Sequence, residues 1–291
     1  MGSGAWTSSS FANYSTSRGR SYDHDTGALR GDYSAQDMFK QRRIAEELNP
    51  KNVIRECCDS SEHPNTIPVI LGLDVTGSMG SSAVEVAKKL SVVMTELYNK
   101  VKDVEFLVMG IGDLAYDNAP IQASQFESDI RIAEQLDKVY FEGGGGGNSY
   151  ESYTAAWYFG SRHAKLDCWG RGKKGIIITM GDEPLNPYLP RVPLERATGD
   201  NLQGDVETSD LYREASEKYD IYHLNVDHRS YSHYDEEINS SFGKYLDSKH
   251  LRKVNLNSIA DEIIDIIVSA VEGQTISVNE TVGEQGSGIS W

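Results

Sequence analysis

Two hydrophobic periods alternate along the chain from about residue 66 onward. The segment IPVILGL at 67–73 is a continuous apolar run, the pattern of a strand buried on both faces. Behind it Ala83, Ala87, Leu90, Met94 and Leu97 step by four, three, four and three, which predicts a helix over about 80–100. VEFLVMGI at 104–111 predicts a second buried strand, and PIQASQF at 120–126 a short edge strand, because Pro120 cannot donate to a ladder. A helix near 128–138 is followed by five consecutive glycines at 143–147 and a helix over about 150–165. GIIITM at 175–180 predicts another buried strand, and the proline- and glycine-rich stretch 184–206 a long loop. A helix near 208–219, a strand at 220–226, a helical stretch near 235–247 and a short strand at 251–256 precede a last helix over about 257–272. In that helix Ile259, Ile263, Ile266, Ile267 and Ala270 face inward. Strand and helix in alternation over 66–272 predict an α/β domain, a doubly wound and mostly parallel sheet with helices on both faces.

The ends follow neither period. Residues 1–33 are rich in Ser, Gly, Tyr and Arg, which predicts an extended or disordered arm, locally basic through Arg18, Arg20 and Arg30. Ser34 with Asp37 three residues on opens a capped helix over about 35–48 that stops at Asn49-Pro50, within a helical extension at 34–65. The polar, glycine-containing stretch 273–291 predicts a flexible tail.

Composition narrows the function classes. The 291 residues hold 44 acidic and 28 basic side chains, a formal charge of −16, which disfavours broad binding to nucleic acid or anionic membrane. No run approaches the ~20 apolar residues of a membrane span, and the first twenty residues lack the apolar core of a secretory signal. Three cysteines, Cys57, Cys58 and Cys168, are too few and wrongly spaced for a disulfide frame or a zinc site. These features suit a cytoplasmic protein.

In open parallel sheets ligands bind beyond the carboxyl ends of the strands, so the residues there decide the chemistry. After the first strand comes Asp74-Val75-Thr76-Gly77-Ser78, a carboxylate and two hydroxyls at alternate positions that can converge on one point. Asp182 follows the strand GIIITM, and the glycine run ends in Asn148-Ser149-Tyr150-Glu151. All are hard oxygen donors, suited to Mg²⁺, Mn²⁺ or Ca²⁺. Asp113 and Asp117 follow the second strand and fall near the same edge, where a supporting role is open to them. His223, His228 and His233 are spaced by five, which fits no helical face and reads as structural. Tyr153, Trp157 and Tyr158 read as packing residues of the helix behind the glycines.

The segment PVILGLDVTGSMG resembles the first motif of von Willebrand factor A (vWA) domains, D-x-S/T-x-S, and the likeness extends over residues 66–272. In that family the motif forms a metal-ion-dependent adhesion site. The resemblance implies Asp74, Thr76 and Ser78 as first-motif ligands, Asp182 as the distal aspartate, and Asn148 in place of the usual Thr, with Ser149 or Glu151 as alternatives. Gly181 precedes Asp182, whereas the family has glycine after its distal aspartate. It further implies a non-catalytic protein-binding module whose divalent cation, Mg²⁺ before Ca²⁺ or Mn²⁺, recruits a Glu or Asp from a protein partner. The wording around the glycines is similar to bacterial and phage members. Such proteins serve as cofactors of AAA+ ATPases or, as an alternative, as virion and assembly components. A different alternative is a Mg²⁺-dependent aspartyl-phosphate phosphotransferase, because Asp74-Val-Thr-Gly-Ser also resembles the D-K-T-G-T of haloacid-dehalogenase-type enzymes. Thr76 stands where that chemistry needs a second acid, and a long helix follows at once where those folds insert a flap.

Overall fold

A computed structural model describes residues 4–142, 150–227 and 235–284. Its centre is a six-stranded sheet made of β1 (Ile67–Asp74), β2 (Val104–Ile111), β3 (Ile121–Ala123), β4 (Gly175–Gly181), β5 (Tyr219–Val226) and β6 (Leu251–Val254). The spatial order is β6-β5-β4-β1-β2-β3. All neighbours run parallel except β3, which closes one edge antiparallel to β2. This is the α/β doubly wound sheet that the alternating pattern predicts.

The continuous apolar runs are explained by burial on both faces. Val69, Leu71 and Leu73 of β1 join one core with the helices Gly80–Lys100 and Ile259–Glu284, while Ile70 faces a second core built on the helices Thr154–Arg162 and Thr208–Ser216. The register between β1 and β4 sets Leu73 beside Met180. The next residues of both strands therefore emerge together at one edge, and with them Asp74 and Asp182.

Residues 4–33 correct the expected extended arm. They fold as a helix, Ser8–Ser17, and a short antiparallel ribbon pairing Ser21–Tyr22 with Leu29–Arg30. Trp6, Phe11 and Leu29 are buried in the same core as the helix Gly80–Lys100. Arg20 pairs with Asp137 at 2.9 Å and Arg30 with Asp23 at 2.9 Å, so these two arginines serve the domain's own acids. Three anchors at positions 6, 11 and 29 make no period, which hides them from pattern reading.

The extension and the connections also depart from expectation. The Ser34–Asp37 capping box forms, yet its helix is only Ala35–Met38. Phe39 leaves it in an extended conformation and stacks on Phe141 at 4.4 Å, so tertiary burial of one ring outweighs helix propensity. Arg55–Cys57 then forms a parallel pair with Ala164–Leu166. The loop expected at 184–206 contains a helix, Arg191–Thr198, and a ribbon pairing Tyr188–Leu189 with Val206–Glu207. The last helix continues to Glu284, past the predicted start of a tail at 273; residues 285–291 of that tail lie outside the described residues. No helix among the described residues is long and apolar enough to cross a membrane.

Candidate metal centre

Beyond the end of β1 the chain turns back on Asp74. Its Oδ1 accepts the Thr76 amide at 2.8 Å and the Thr76 hydroxyl at 2.5 Å, the side-chain-to-backbone turn that aspartate favours two residues on. Ser78 donates its hydroxyl to Asp182 Oδ1 at 3.1 Å, across the gap between β1 and β4. Four of the sequence-predicted residues, Asp74, Thr76, Ser78 and Asp182, are thus brought to one place. Asp74, Thr76 and Asp182 are buried, while Gly77 is exposed and Ser78 half-buried, so the group opens to solvent on the Gly77–Ser78 side. Asn148 and Ser149, together with the glycine run, lie outside the described residues.

Three further side chains belong here. Glu151, an alternative donor from the sequence, is 2% exposed and held by a β-bridge to Leu185. Its Oε2 has no hydrogen-bond partner among the described residues, and the same is true of Asp113 Oδ2. Glu183, which sequence reasoning missed, follows Asp182 and stands half-buried at the rim. Tyr153, read as packing, is fully buried, and its hydroxyl donates to Asp74 Oδ2 at 2.8 Å. A tyrosine six residues past the glycines at a helix start was the available signal. It carries packing as readily as chemistry, so only contact decides.

Gly181 gains a reason from this contact. A Cβ at that position would lie 1.8 Å from the Tyr153 hydroxyl oxygen. The glycine before Asp182 thus makes room for the group that holds Asp74. Replacing Gly181 by Ala is expected to displace Tyr153 and to cost about 1–3 kcal/mol by overpacking, read as a lower urea midpoint at unchanged slope.

The acids at the site raise one another's pKa values. Burial above all, with Asp182 adding to it, pushes the Asp74 carboxyl up to about 7, against the hydrogen bonds from Thr76 and Tyr153 that favour its charged form. Burial, then Asp74 and Asp182, pushes Glu183 up to about 7. Glu151 is raised further by burial and by Asp74, Glu183, Asp113 and Asp117. Asp74, Asp113, Glu151 and Glu183 enter no ion pair with a basic side chain among the described residues. Carboxylate oxygens and hydroxyls gathered in this way suit a hard divalent cation. No group of three His, Cys, Asp or Glu among the described residues is arranged as a ready metal cage.

No family model matches the chain, and no curated protein matches it in sequence. Solved structures resemble its outline. The pilus adhesin SpaC from Lactobacillus rhamnosus GG, in its open conformation, is 13% identical with a TM-score of 0.48 over 75% of this chain and 31% of SpaC. Proximal thread matrix protein 1 from the mussel byssus is 9% identical with a TM-score of 0.47 over 74% of this chain and 49% of its own. The vWF domain of the type V pili tip protein Mfa5 from Porphyromonas gingivalis is 11% identical with a TM-score of 0.42, covering 74% of this chain and 96% of that domain. The match thus spans under a third of SpaC and about half of the mussel protein. The fold class rests on the chain's own sheet order.

Trp157 and Tyr158 are fully buried. His223 is buried against Phe242, with ring centres 3.9 Å apart, and its Nδ1 lies 2.9 Å from the Thr179 hydroxyl; burial lowers it to about 3, so it stays neutral. His228 and His233 lie outside the described residues. Cys57, Cys58 and Cys168 are free thiols, with Cys57 and Cys168 buried. Asp117 accepts the Asp113 amide at 2.7 Å, and the charges of both act on Glu151.

Proposed function

We propose that this chain is a non-catalytic protein-binding module in which a divalent cation, Mg²⁺ before Ca²⁺ or Mn²⁺, is held by Asp74, Thr76, Ser78 and Asp182. A donor from the 148–151 stretch, Asn148, Ser149 or Glu151, completes the set. The observation that carries this reading is the meeting of Asp74 and Asp182 with two hydroxyls at the carboxyl edge of the sheet, with Glu151 and Glu183 beside them. These residues supply fewer ligands than the six of octahedral Mg²⁺, so a position stays open to solvent or partner. A Glu or Asp arriving from a protein partner would fill it, within a multiprotein assembly of the AAA+ cofactor kind or, as an alternative, a phage particle. The cytoplasm, or a virion in the phage case, is the setting this reading calls for.

The phosphotransferase alternative is the weaker one. Asp74 as a nucleophile would need an accessible oxygen and a neighbouring acid. The residue two positions on is Thr76, which donates to Asp74 and supplies no acid.

The test is capture of partners with tagged protein in Mg²⁺ and in EDTA. Partners that elute with chelator, and that Asp74→Ala fails to capture, support the reading. A partner bound equally in both would place binding on another surface. Incubation with acetyl phosphate and Mg²⁺ followed by intact mass tests the alternative, and an adduct absent from Asp74→Asn would favour the enzyme.

The acids also set a pH dependence. Asp74 and Glu183 have folded values near 7, above their unfolded values near 4. Between those values the folded state binds more protons than the unfolded one, so stability without metal falls as pH rises from about 4 to about 7. Cation binding needs the ionised forms, so affinity for Mg²⁺ is expected to rise through the same window. Thermal melts at pH 5.5 and 8, with and without Mg²⁺, should show opposite trends. A metal-free protein more stable at pH 8 would contradict the assignment.

A further inference from the structure

At the edge of the sheet opposite Asp74, where β1 and β2 begin, the domain holds the start of its own chain. The Gly4 carbonyl oxygen accepts the Ser128 hydroxyl at 2.6 Å and lies 2.9 Å from His63 Nε2. The other ring nitrogen, Nδ1, lies 3.2 Å from Asp103 Oδ1. His63 and Ser128 are both buried. The backbone of His63 is held in a turn, its amide donating to the Ser60 hydroxyl at 2.9 Å and its carbonyl accepting the Ser60 amide at 2.9 Å. The cradle is shaped for glycine, since a Cβ at Gly4 would lie 2.7 Å from Asp129 Oδ2.

The two partners of the ring decide its protonation. A carbonyl oxygen and a carboxylate oxygen both accept, and neither donates. A neutral imidazole carries one N–H and serves one of them, whereas the imidazolium serves both. The charged groups facing the ring are Asp103, Glu105 from β2, and Asp129 from the stretch before the helix Arg131–Leu136, where Arg131 donates to Asp129 at 2.8 Å. Burial pulls the imidazole down, but the Gly4 carbonyl, Asp103 and Glu105 together hold it above the ordinary histidine value. When one proton is lost, the Asp103 carboxylate keeps the N–H on Nδ1. A lone pair on Nε2 then faces the Gly4 oxygen, and the Ser128 hydroxyl, 3.2 Å from Nε2, gains a second acceptor to turn to.

We propose that His63 is a charge-operated latch: the doubly protonated ring holds residues 4–6 on the domain, and loss of one proton frees them while the helix Ser8–Ser17 stays docked. That helix has anchors of its own, Phe11 in the core and Tyr14, which donates to Asp137 at 2.7 Å. Trp6 packs on Phe11 at 5.4 Å between ring centres, but its buried indole N–H meets no acceptor among the described residues, which offsets part of what its burial gains. The folded value of His63 lies above its unfolded value near 6.5, so the latch is fully closed below about 6.5 and opens as pH rises through the folded value.

The experiment is fluorine NMR of the full chain labelled with 5-fluorotryptophan, at pH 6 and pH 9, for wild type, His63→Gln and Asp103→Asn. Trp6→Phe assigns the Trp6 signal, the solvent isotope shift distinguishes its open form from its docked form, and the signal of the fully buried Trp157 reports on the rest of the fold. In wild type the ratio of open to docked Trp6 should rise by roughly tenfold between the two pH values, the scale of one hydrogen bond to a charged group, with Trp157 unchanged. His63→Gln does not titrate and should give the same ratio at both. Asp103→Asn removes the charge that holds the second proton and should move the change to lower pH; asparagine suits the φ of 62° at that position. The acids around Asp74 titrate in all three proteins alike. A wild-type ratio that stays constant, or a His63→Gln protein that keeps the wild-type change, would overturn the latch. If His63→Gln does not fold, Asp103→Asn decides, and a midpoint left where wild type has it would overturn the proposal equally.

Discussion

Deleting residues 1–33 is expected to cost the protein most of its stability. Three large apolar side chains of that segment, Trp6, Phe11 and Leu29, are buried in the main core beside the helix Gly80–Lys100. Burying side chains of this size contributes about 1.5–3 kcal/mol each, so together they account for about 5–9 kcal/mol. A whole domain is typically stable by only about 5–15 kcal/mol. The polar anchors add to this. Arg20 reaches Asp137 at 2.9 Å and the Met38 carbonyl at 2.8 Å, Tyr14 donates to Asp137 at 2.7 Å, and His63 Nε2 lies 2.9 Å from the Gly4 carbonyl oxygen. The truncated chain should give little soluble folded protein. The single substitution Trp6→Ala should lower stability by about 3–5 kcal/mol in urea denaturation. A truncated chain that melts like the full one would mean that the segment only rests on the surface of a core complete without it.

The second large effect is stabilisation by metal. Binding to the native state alone adds RT ln(1 + [L]/Kd), about 2.7 kcal/mol at one hundred times Kd. For a chain of this size that corresponds to a rise in Tm of roughly 4–6 °C. The increase should appear with Mg²⁺, reverse with chelator and vanish in Asp74→Ala. Without metal that variant should lose the fall in stability between pH 5.5 and 8 that Asp74 contributes, while the Thr76 and Tyr153 donors left without an acceptor lower its stability at every pH. A residue whose removal flattens the pH dependence of the empty protein and abolishes the response to metal gives a signature that a purely structural aspartate does not. Absence of any shift with Mg²⁺, Mn²⁺ and Ca²⁺ alike would refute the metal site.

What the sequence determined by itself was the layered α/β sheet and the edge at which its chemistry lies. Runs such as IPVILGL and GIIITM can be satisfied only by burial on both faces, and a helix of period 3.6 between them can return the chain only to a parallel neighbour. Asp74 and Asp182 then had to emerge at the same edge, because each ends a strand of that kind. Thr76 and Ser78 were legible from their spacing in one short turn.

Tertiary structure decided everything that depends on contact between distant residues. The segment 4–33 packs through three side chains too far apart to form a period, so composition pointed to an arm where burial made a part of the core. Phe39 ended a capped helix after one turn because Phe141, a hundred residues on, offered a ring to stack against. Glu183 and Glu151 became members of the acidic group through the approach of the loop after β4 to the start of the helix Thr154–Arg162, which a β-bridge between Glu151 and Leu185 fixes. Tyr153 looked like any aromatic on a buried helix face. Only the absence of a side chain at Gly181, across the sheet edge, lets its hydroxyl reach Asp74, and no local pattern in a sequence encodes a space left open by a residue twenty-eight positions away.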